Sequence, residues 1–250
     1  MLKDDRLAKI VELINRHKTL KTDQIAEALD ISLATVRRDL NELDEAKKIK
    51  KIFGGAKSIV IADYVTTEDA MDTKMTVKIQ EKILIGQLAA QQIKENDFVY
   101  MDAGSSVEAM VSFINTTNVT FVTNSIGIAR DLSARNYKVI ILPGEIKLST
   151  DSIIGIAASE YLRRFNFTVG FFGTNGLHKE FGFTTPDINE AMVKTAAIER
   201  CKEVMILADD SKVGKVSQVT FCHDVEAKII TNQLIDGTEQ AIITTLEEEL

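Results

Sequence analysis

A chain of 250 residues, 45% hydrophobic and 27% charged with two prolines, can fill two packed domains and is no low-complexity polymer. Its two cysteines (Cys201, Cys222) and three histidines (His17, His178, His223) form neither a disulfide framework nor a ligand spacing, so no metal or other cofactor is expected, and the lack of a membrane-length or signal-length apolar run predicts a cytoplasmic protein with no membrane partner. The net charge of −7 is uneven: residues 1–58 carry 13 Lys+Arg against 10 Asp+Glu and residues 59–250 carry 17 against 27, a basic head on an acidic body, as docking on phosphates requires.

In chain order, Leu7, Ile10, Val11 and Ile14 predict a first helix over 5–17. The stretch from Thr22 to Leu43 then gives two short apolar stripes, Ile25-Ala26-Leu29 and Val36-Leu40-Leu43, with Thr22 and Ser32 placed to cap them. Only Asp30 and Ile31 separate the first helix from the second cap, the spacing of a helix-turn-helix. Ser32, Leu33, Ala34, Thr35, Arg37 and Arg38 fall on the open first turns of the second helix, where small residues allow a close approach to a major groove and Arg reaches bases or phosphates. An amphipathic helix pair with a solvated basic face has the same periodicity. Next, lysines and isoleucines interleave from Lys47 to Ile52, and Gly54-Gly55 is expected to make a hairpin turn. This hairpin reads as a wing with Lys50 and Lys51 along phosphates, or as an edge strand that lysines keep from aggregating.

Residues 58–77 form a polar, partly helical connector with Asp63, Glu68, Asp69 and Asp72. A helix is expected from Lys78 on the stripe Ile79, Ile83, Leu84, Leu88, Ala89 and Ile93. Buried strands follow at Phe98–Met101, Val119–Val122, Val139–Leu142, Val169–Phe172, Val204–Leu207 and Lys228–Thr231, alternating with helices, which predicts a mostly parallel sheet. Ligands of such sheets sit beyond the carboxyl ends of strands. Polar clusters fall there: Asp102 with Gly104, Ser105 and Ser106; Thr123, Asn124 and Ser125; Gly144 with Lys147; Thr174 and Asn175; and the run Asp209–Gly214 with Lys212. Each is also an ordinary connecting turn or helix cap. Together they point to a pocket for a small phosphorylated polar molecule, with the helix after Gly104 favouring an anion.

The run Ile31–Leu40 followed by Gly54-Gly55-Ala56 resembles the signature of the DeoR family of bacterial transcriptional regulators. The resemblance continues at Asp102–Ser106, Thr123–Ser125, Gly182–Asp187 with Glu190 and Lys194, and Asp209–Gly214. It implies an α/β fold: an N-terminal winged helix-turn-helix (1–57), a connector (58–77) and a mostly parallel α/β sensor domain (78–250) resembling ribose-5-phosphate isomerase. It also implies that Gly54 and Gly55 belong to the DNA-binding wing, that Gly104–Ser106 hold a phosphate, and that Asn124, Asp187, Glu190, Lys194 and Lys212 contact the sugar or close the pocket. The chain departs from the family at Pro143-Gly144, where a glycine pair is usual, and at Thr231-Asn232, where Thr-Asp is usual.

The expected function is that of a DNA-binding regulator, a repressor of a sugar uptake or catabolic operon. Its partners would be double-stranded operator DNA, a phosphorylated sugar effector (a fructose or other ketose phosphate, on the likeness of Gly173–Gly176 and Gly182–Asp187) and a second copy in a homo-oligomer. The alternative is a sugar-phosphate isomerase-like enzyme with an accessory DNA-binding module, using Asp102, Asp187, Glu190 and Lys194 for acid–base chemistry.

Overall fold

In the computed structural model, residues 3–59, 63–65, 70–223, 227–232 and 241–243 are described; Glu68 and Asp69 of the connector lie outside them. The chain divides into two compact units, Met1–Asp63 and Tyr64–Leu250.

The first unit runs α1 (Lys3–His17), β1 (Thr19–Lys21), α2 (Thr22–Leu29), α3 (Leu33–Glu45), β2 (Ile49–Ile52) and β3 (Gly55–Ser58). Its core is small: Ile10, Ile14, Ile25, Val36, Leu40 and Leu43, on the faces expected from helical spacing, with Ile49 of β2 and Ala56 of β3. The turn between α2 and α3 is set by Asp30 in the left-handed region at φ 51°, and Ser32 caps α3 by accepting the Thr35 N–H at 3.1 Å. One charged residue is part of this core. Asp39 is fully buried and accepts two hydrogen bonds from Arg6, at 2.6 and 3.1 Å, which locks α1 onto α3 and leaves Arg6 with its pKa raised.

Three details differ from the expectation. Thr22 is not a cap but the first residue of α2, and its N–H and hydroxyl both donate to the Gly54 carbonyl. The Lys21 N–H is met by the Gln24 side chain instead, at 2.9 Å. Strand β1, too short for periodicity to show, pairs with β3 to make a three-stranded sheet. Finally, the hairpin turn is Phe53-Gly54, and Gly55 already belongs to β3, where a Cβ would overlap the Leu20 carbonyl.

After β4 (Asp63–Tyr64) the second unit runs α4 (Met71–Thr76), α5 (Ile79–Ala90), β5 (Phe98–Met101), α6 (Ser105–Met110), β6 (Thr120–Thr123), α7 (Ile126–Ala134) and β7 (Lys138–Ile141). It continues through β8 (Glu145–Lys147), β9 (Ser152–Ile154), α8 (Ile156–Leu162), β10 (Phe167–Gly173), β11 (Gly176–His178), β12 (Gly182–Thr185) and α9 (Ile188–Ile198). The last strands are β13 (Cys201–Leu207), β14 (Lys215–Val216), β15 (Val219–Cys222), β16 (Ala227–Thr231) and β17 (Ala241–Ile243). Seven of these strands form one parallel sheet in the order β17-β16-β13-β10-β5-β6-β7. The six expected strands are all in it, with β17 added.

Side chains alternate across this sheet with period 2. Val99, Met101, Phe171, Met205 and Leu207 pack under α5, α6 and α7, while Tyr100, Phe172, Ile206 and Ile229 pack against α8 and α9. Helix α5 is phased differently from the expectation: its buried line is Lys82, Ile85, Gly86, Ala89 and Ala90, and Ile79 is exposed. Gly86 meets the α6 backbone where a Cβ would overlap Met110, so a glycine lets the two helices touch. Sheet order reverses between β5 and β10, and this switch point is where an open parallel sheet leaves a crevice at its carboxyl edge. Two smaller pieces that period-2 patterning did not signal, the β8–β9 hairpin and the β11-β12-β15 sheet, are added to it.

Candidate functional site

Two surfaces carry the polar residues expected to act. In the first unit, Ser32, Leu33, Ala34, Arg37 and Arg38 are exposed along the start of α3 and Thr35 is half-buried, its hydroxyl within 2.9 Å of Ser32 Oγ. Leu33, at 45% exposure, is apolar yet open. Burial of Val36, Asp39, Leu40 and Leu43 leaves only this face free to meet a groove. In the hairpin, Lys50, Lys51 and Gly54 are exposed and Gly55 is buried. Lys51 is tied back to α3: its N–H donates to Asp44 at 2.8 Å and its ammonium to the Asn41 side chain at 2.5 Å. The hairpin and α3 are thus held as one body.

In the second unit, the switch point holds a cavity of about 50 Å³. Its floor is the loop after β5, Gly104–Ser106, facing Gly173, Thr174 and Asn175 at the end of β10. A Cβ on Gly104 would touch only the Gly173 Cα at 3.6 Å, so the space that this glycine keeps clear belongs to the cavity. Glu190, Lys194 and Lys212 complete the expected lining. Lys194 forms a buried ion pair with Asp102, a very short contact, and donates to the Gly173 carbonyl at 3.1 Å, while the Gly173 N–H donates to Asp102 at 3.1 Å. Burial raises the Asp102 pKa, and the Lys194 ammonium opposes that shift without cancelling it.

The other expected residues stand behind the lining. Asn124 Oδ1 accepts the Ala103 N–H at 2.9 Å and the Tyr100 hydroxyl at 3.2 Å, and its amide donates to the Ile153 carbonyl at 3.2 Å. Thr123 Oγ1 accepts the Ser125 N–H, and Ser125 Oγ caps α7 by accepting the Ile128 N–H. Gly144, at φ 154°, leaves no room for a Cβ beside Ile153. Lys147 bridges Glu190 at 2.9 Å and Asp187 at 3.2 Å, and Glu190 also accepts from Thr150 and Thr185. Asp187 caps α9 through the N–H groups of Asn189 and Glu190. Burial raises the Asp187 pKa, but these bonds and Lys147 outweigh it and the pKa ends below its ordinary value. Asp102, Thr123, Asn124, Ser125, Gly144, Lys147 and Asp187 are therefore outside the cavity lining and brace it.

Sequence reasoning missed the roof. Met71 and Lys74 of α4, Lys82 of α5 and Thr150 all line the cavity. Lys82 is 6% exposed and its ammonium donates to backbone carbonyls, closely to Lys74 and at 2.8 Å to Val77. Burial lowers its pKa, and the Lys212 and Lys74 charges lower it further against the pull of Asp209. Four lysines, Lys74, Lys82, Lys194 and Lys212, thus line the cavity together with Gly104, Ser105 and Ser106. No sequence signal pointed to Lys82, because the apolar stripe expected for α5 was phased away from it.

The sequence of each unit is matched by a family model. A DeoR-like helix-turn-helix domain covers residues 6–62, and a DeoR C-terminal sensor domain covers residues 77–233. The chain belongs to the DeoR family of transcriptional regulators. Among DeoR-type relatives, the HTH-type transcriptional regulator FruR of Bacillus subtilis is 34% identical over 92% of this chain and 91% of its own. A lactose phosphotransferase system repressor of Streptococcus mutans is 34% identical over 88% of both chains, and one of Staphylococcus aureus is 30% identical over 99% and 97%. Among solved structures, a ribose-5-phosphate isomerase bound to phospho-erythronic acid matches 54% of each chain at 10% identity and a TM-score of 0.42. Among the described residues of this DeoR-family chain, no helix is long and apolar enough to cross a membrane.

Proposed function

We propose that this DeoR-family regulator is a cytoplasmic, homo-oligomeric repressor of a sugar uptake or catabolic operon, with a phosphorylated sugar controlling its grip on double-stranded operator DNA. A head (1–57) and a sensor (78–250) divide the work, and the connector between them (58–77) adds Met71 and Lys74 to the lining of the sensor's cavity. The observation that carries the effector reading is the lining of the cavity, where Lys74, Lys82, Lys194 and Lys212 meet Gly104, Ser105 and Ser106. A phosphate there meets several ammonium groups at once, the charge-assisted contacts that bind phosphate oxygens best. Ser105 and Ser106 supply hydroxyls, Lys212 and Lys194 supply charge, and Thr174, Asn175 and Glu190 face the remainder of the ligand, which suits a polyol. A fructose or other ketose phosphate is the first compound to try, and the naming of relatives for lactose and FruR supports a sugar-linked role. The effector acts only through its differential affinity for the DNA-competent and incompetent forms.

An enzymatic role has less support. Asp102, Asp187, Glu190 and Lys194 are each held in an ion pair or a helix cap. Turnover of aldose or ketose phosphates above background would reverse that judgement.

The test is a fluorescence-anisotropy titration of the full chain on a duplex that it selects from a random library, repeated with a panel of sugar phosphates and their unphosphorylated forms. One phosphorylated sugar is expected to change the affinity while its unphosphorylated form does not. Lys212→Ala and Ser105→Ala should lose that response and keep ligand-free DNA binding. A retained response in both variants would move the pocket elsewhere.

A further inference from the structure

Phe53 stands at the tip of the β2–β3 hairpin at 106% relative exposure, the most open of the large apolar side chains among the described residues. The tip that presents it is pinned. The neighbouring Gly54 carbonyl accepts both the N–H of Thr22 at 2.9 Å and its hydroxyl at 3.0 Å. Gly54 takes φ 76° in a two-residue turn, and Gly55 packs so tightly on Leu20 that only glycine fits. Lys51 ties the same hairpin to α3 through Asn41 and Asp44. An aromatic ring left in water forgoes the burial that usually holds a phenylalanine in a core. Here the backbone is pinned and the ring packs against none of the described residues, which points to a partner outside the fold.

The chemistry around the ring says which partner. Lys50, Lys51 and Lys57 share its hairpin, and Arg37 and Arg38 lie on the helix to which that hairpin is tied. An apolar tip between basic strands fits duplex DNA at its minor groove, which is too narrow for a helix and accepts inserted apolar side chains such as phenylalanine. We infer that Phe53 is a DNA contact: with α3 in the major groove, the wing tip enters the adjacent minor groove and the ring packs against its sugars and base edges. This rests on the reading of the head as a DNA-binding module.

The experiment uses the full chain and a duplex selected by the wild type. Phe53→Ala should weaken binding about tenfold with an unchanged salt slope, because no phosphate contact is lost, and Phe53→Leu should recover part of the loss. Flanking A·T pairs are then replaced by G·C, which adds an amino group in the minor groove, or by inosine·C, which does not. G·C should weaken the wild type more than Phe53→Ala, and inosine·C should weaken neither. Equal binding by Phe53→Ala and wild type would overturn the inference, as would equal effects of G·C and inosine·C or a loss that follows a lowered melting temperature. A variant with altered self-association and unaltered DNA affinity would assign the ring to a second copy instead. Failure of the wild type to select any duplex would overturn the DNA-binding reading and this contact together, whereas normal selection with an indifferent Phe53→Ala would overturn the contact alone.

Discussion

The two units use polar residues in opposite ways. In the head, the residues expected to act are exposed: Arg37, Arg38 and Lys50 project from a core of eight buried side chains. In the sensor many are buried or half-buried and held by other polar groups: Asp102 with Lys194, Glu190 with Lys147, Asn124 with Tyr100, Ala103 and Ile153. A surface that meets a polyanion in water needs only charge on a firm support, whereas a pocket that selects a small solute must bury polar groups and satisfy each of them. Substitution should therefore separate binding from stability in the head and entangle them in the sensor.

The largest expected effect is at the buried ion pair. Lys194→Ala leaves the Asp102 carboxylate without its partner and should destabilise the sensor by about 3–5 kcal/mol, measured by urea denaturation. Near-wild-type stability would mean that Asp102 is neutral in the fold. Second is Leu40→Ala in the head, 1% exposed, expected to cost about 2–5 kcal/mol. Hydrogen exchange should then accelerate for α3 amides and not for β10, and equal acceleration would show that the units unfold as one. Third, Arg37→Ala or Arg38→Ala should weaken operator binding by about 1–3 kcal/mol where the side chain reads a base, with an unchanged melting temperature. Unchanged affinity in both variants would remove α3 from the interface.

The smallest effect tests a single cap. Asp187→Ala should cost about 1 kcal/mol at neutral pH. The folded-state pKa of Asp187 lies below the ordinary 3.8, so its contribution is present above that value and is lost as pH falls through the folded pKa. Wild type and variant should converge in acid, and a constant gap would mean that packing rather than charge is responsible.

The same contrast explains what could be read from the sequence. The reading helix was legible because its cap, stripe and basic residues are contiguous between Ser32 and Leu43, and local periodicity settles which side is out. The parallel sheet was legible because its strands are short apolar runs closed by glycine and polar residues. Half of the pocket was visible for that reason, since Gly104–Ser106, Thr174 and Asn175 sit at strand ends. Lys74 and Lys82 were not visible: they precede the first strand of the sheet, and their approach to the cavity depends on how α4 and α5 lie over it. Asp39 was missed for a related reason, because a buried charge is explained only by its partner, 33 positions away.

Asn124 has one more consequence. Its single side chain fastens the loop after β5, a tyrosine of β5 itself and the β8–β9 hairpin, and its own carbonyl accepts the Ile153 N–H at 2.7 Å. The cavity floor is therefore rigid before any ligand arrives, and the entropy of shaping it has already been lost in folding. Little of a ligand's binding free energy then goes into ordering backbone. Discrimination among related solutes falls to the match of their hydroxyls with a fixed template, and a poorly matched sugar cannot be rescued by a floor that adjusts.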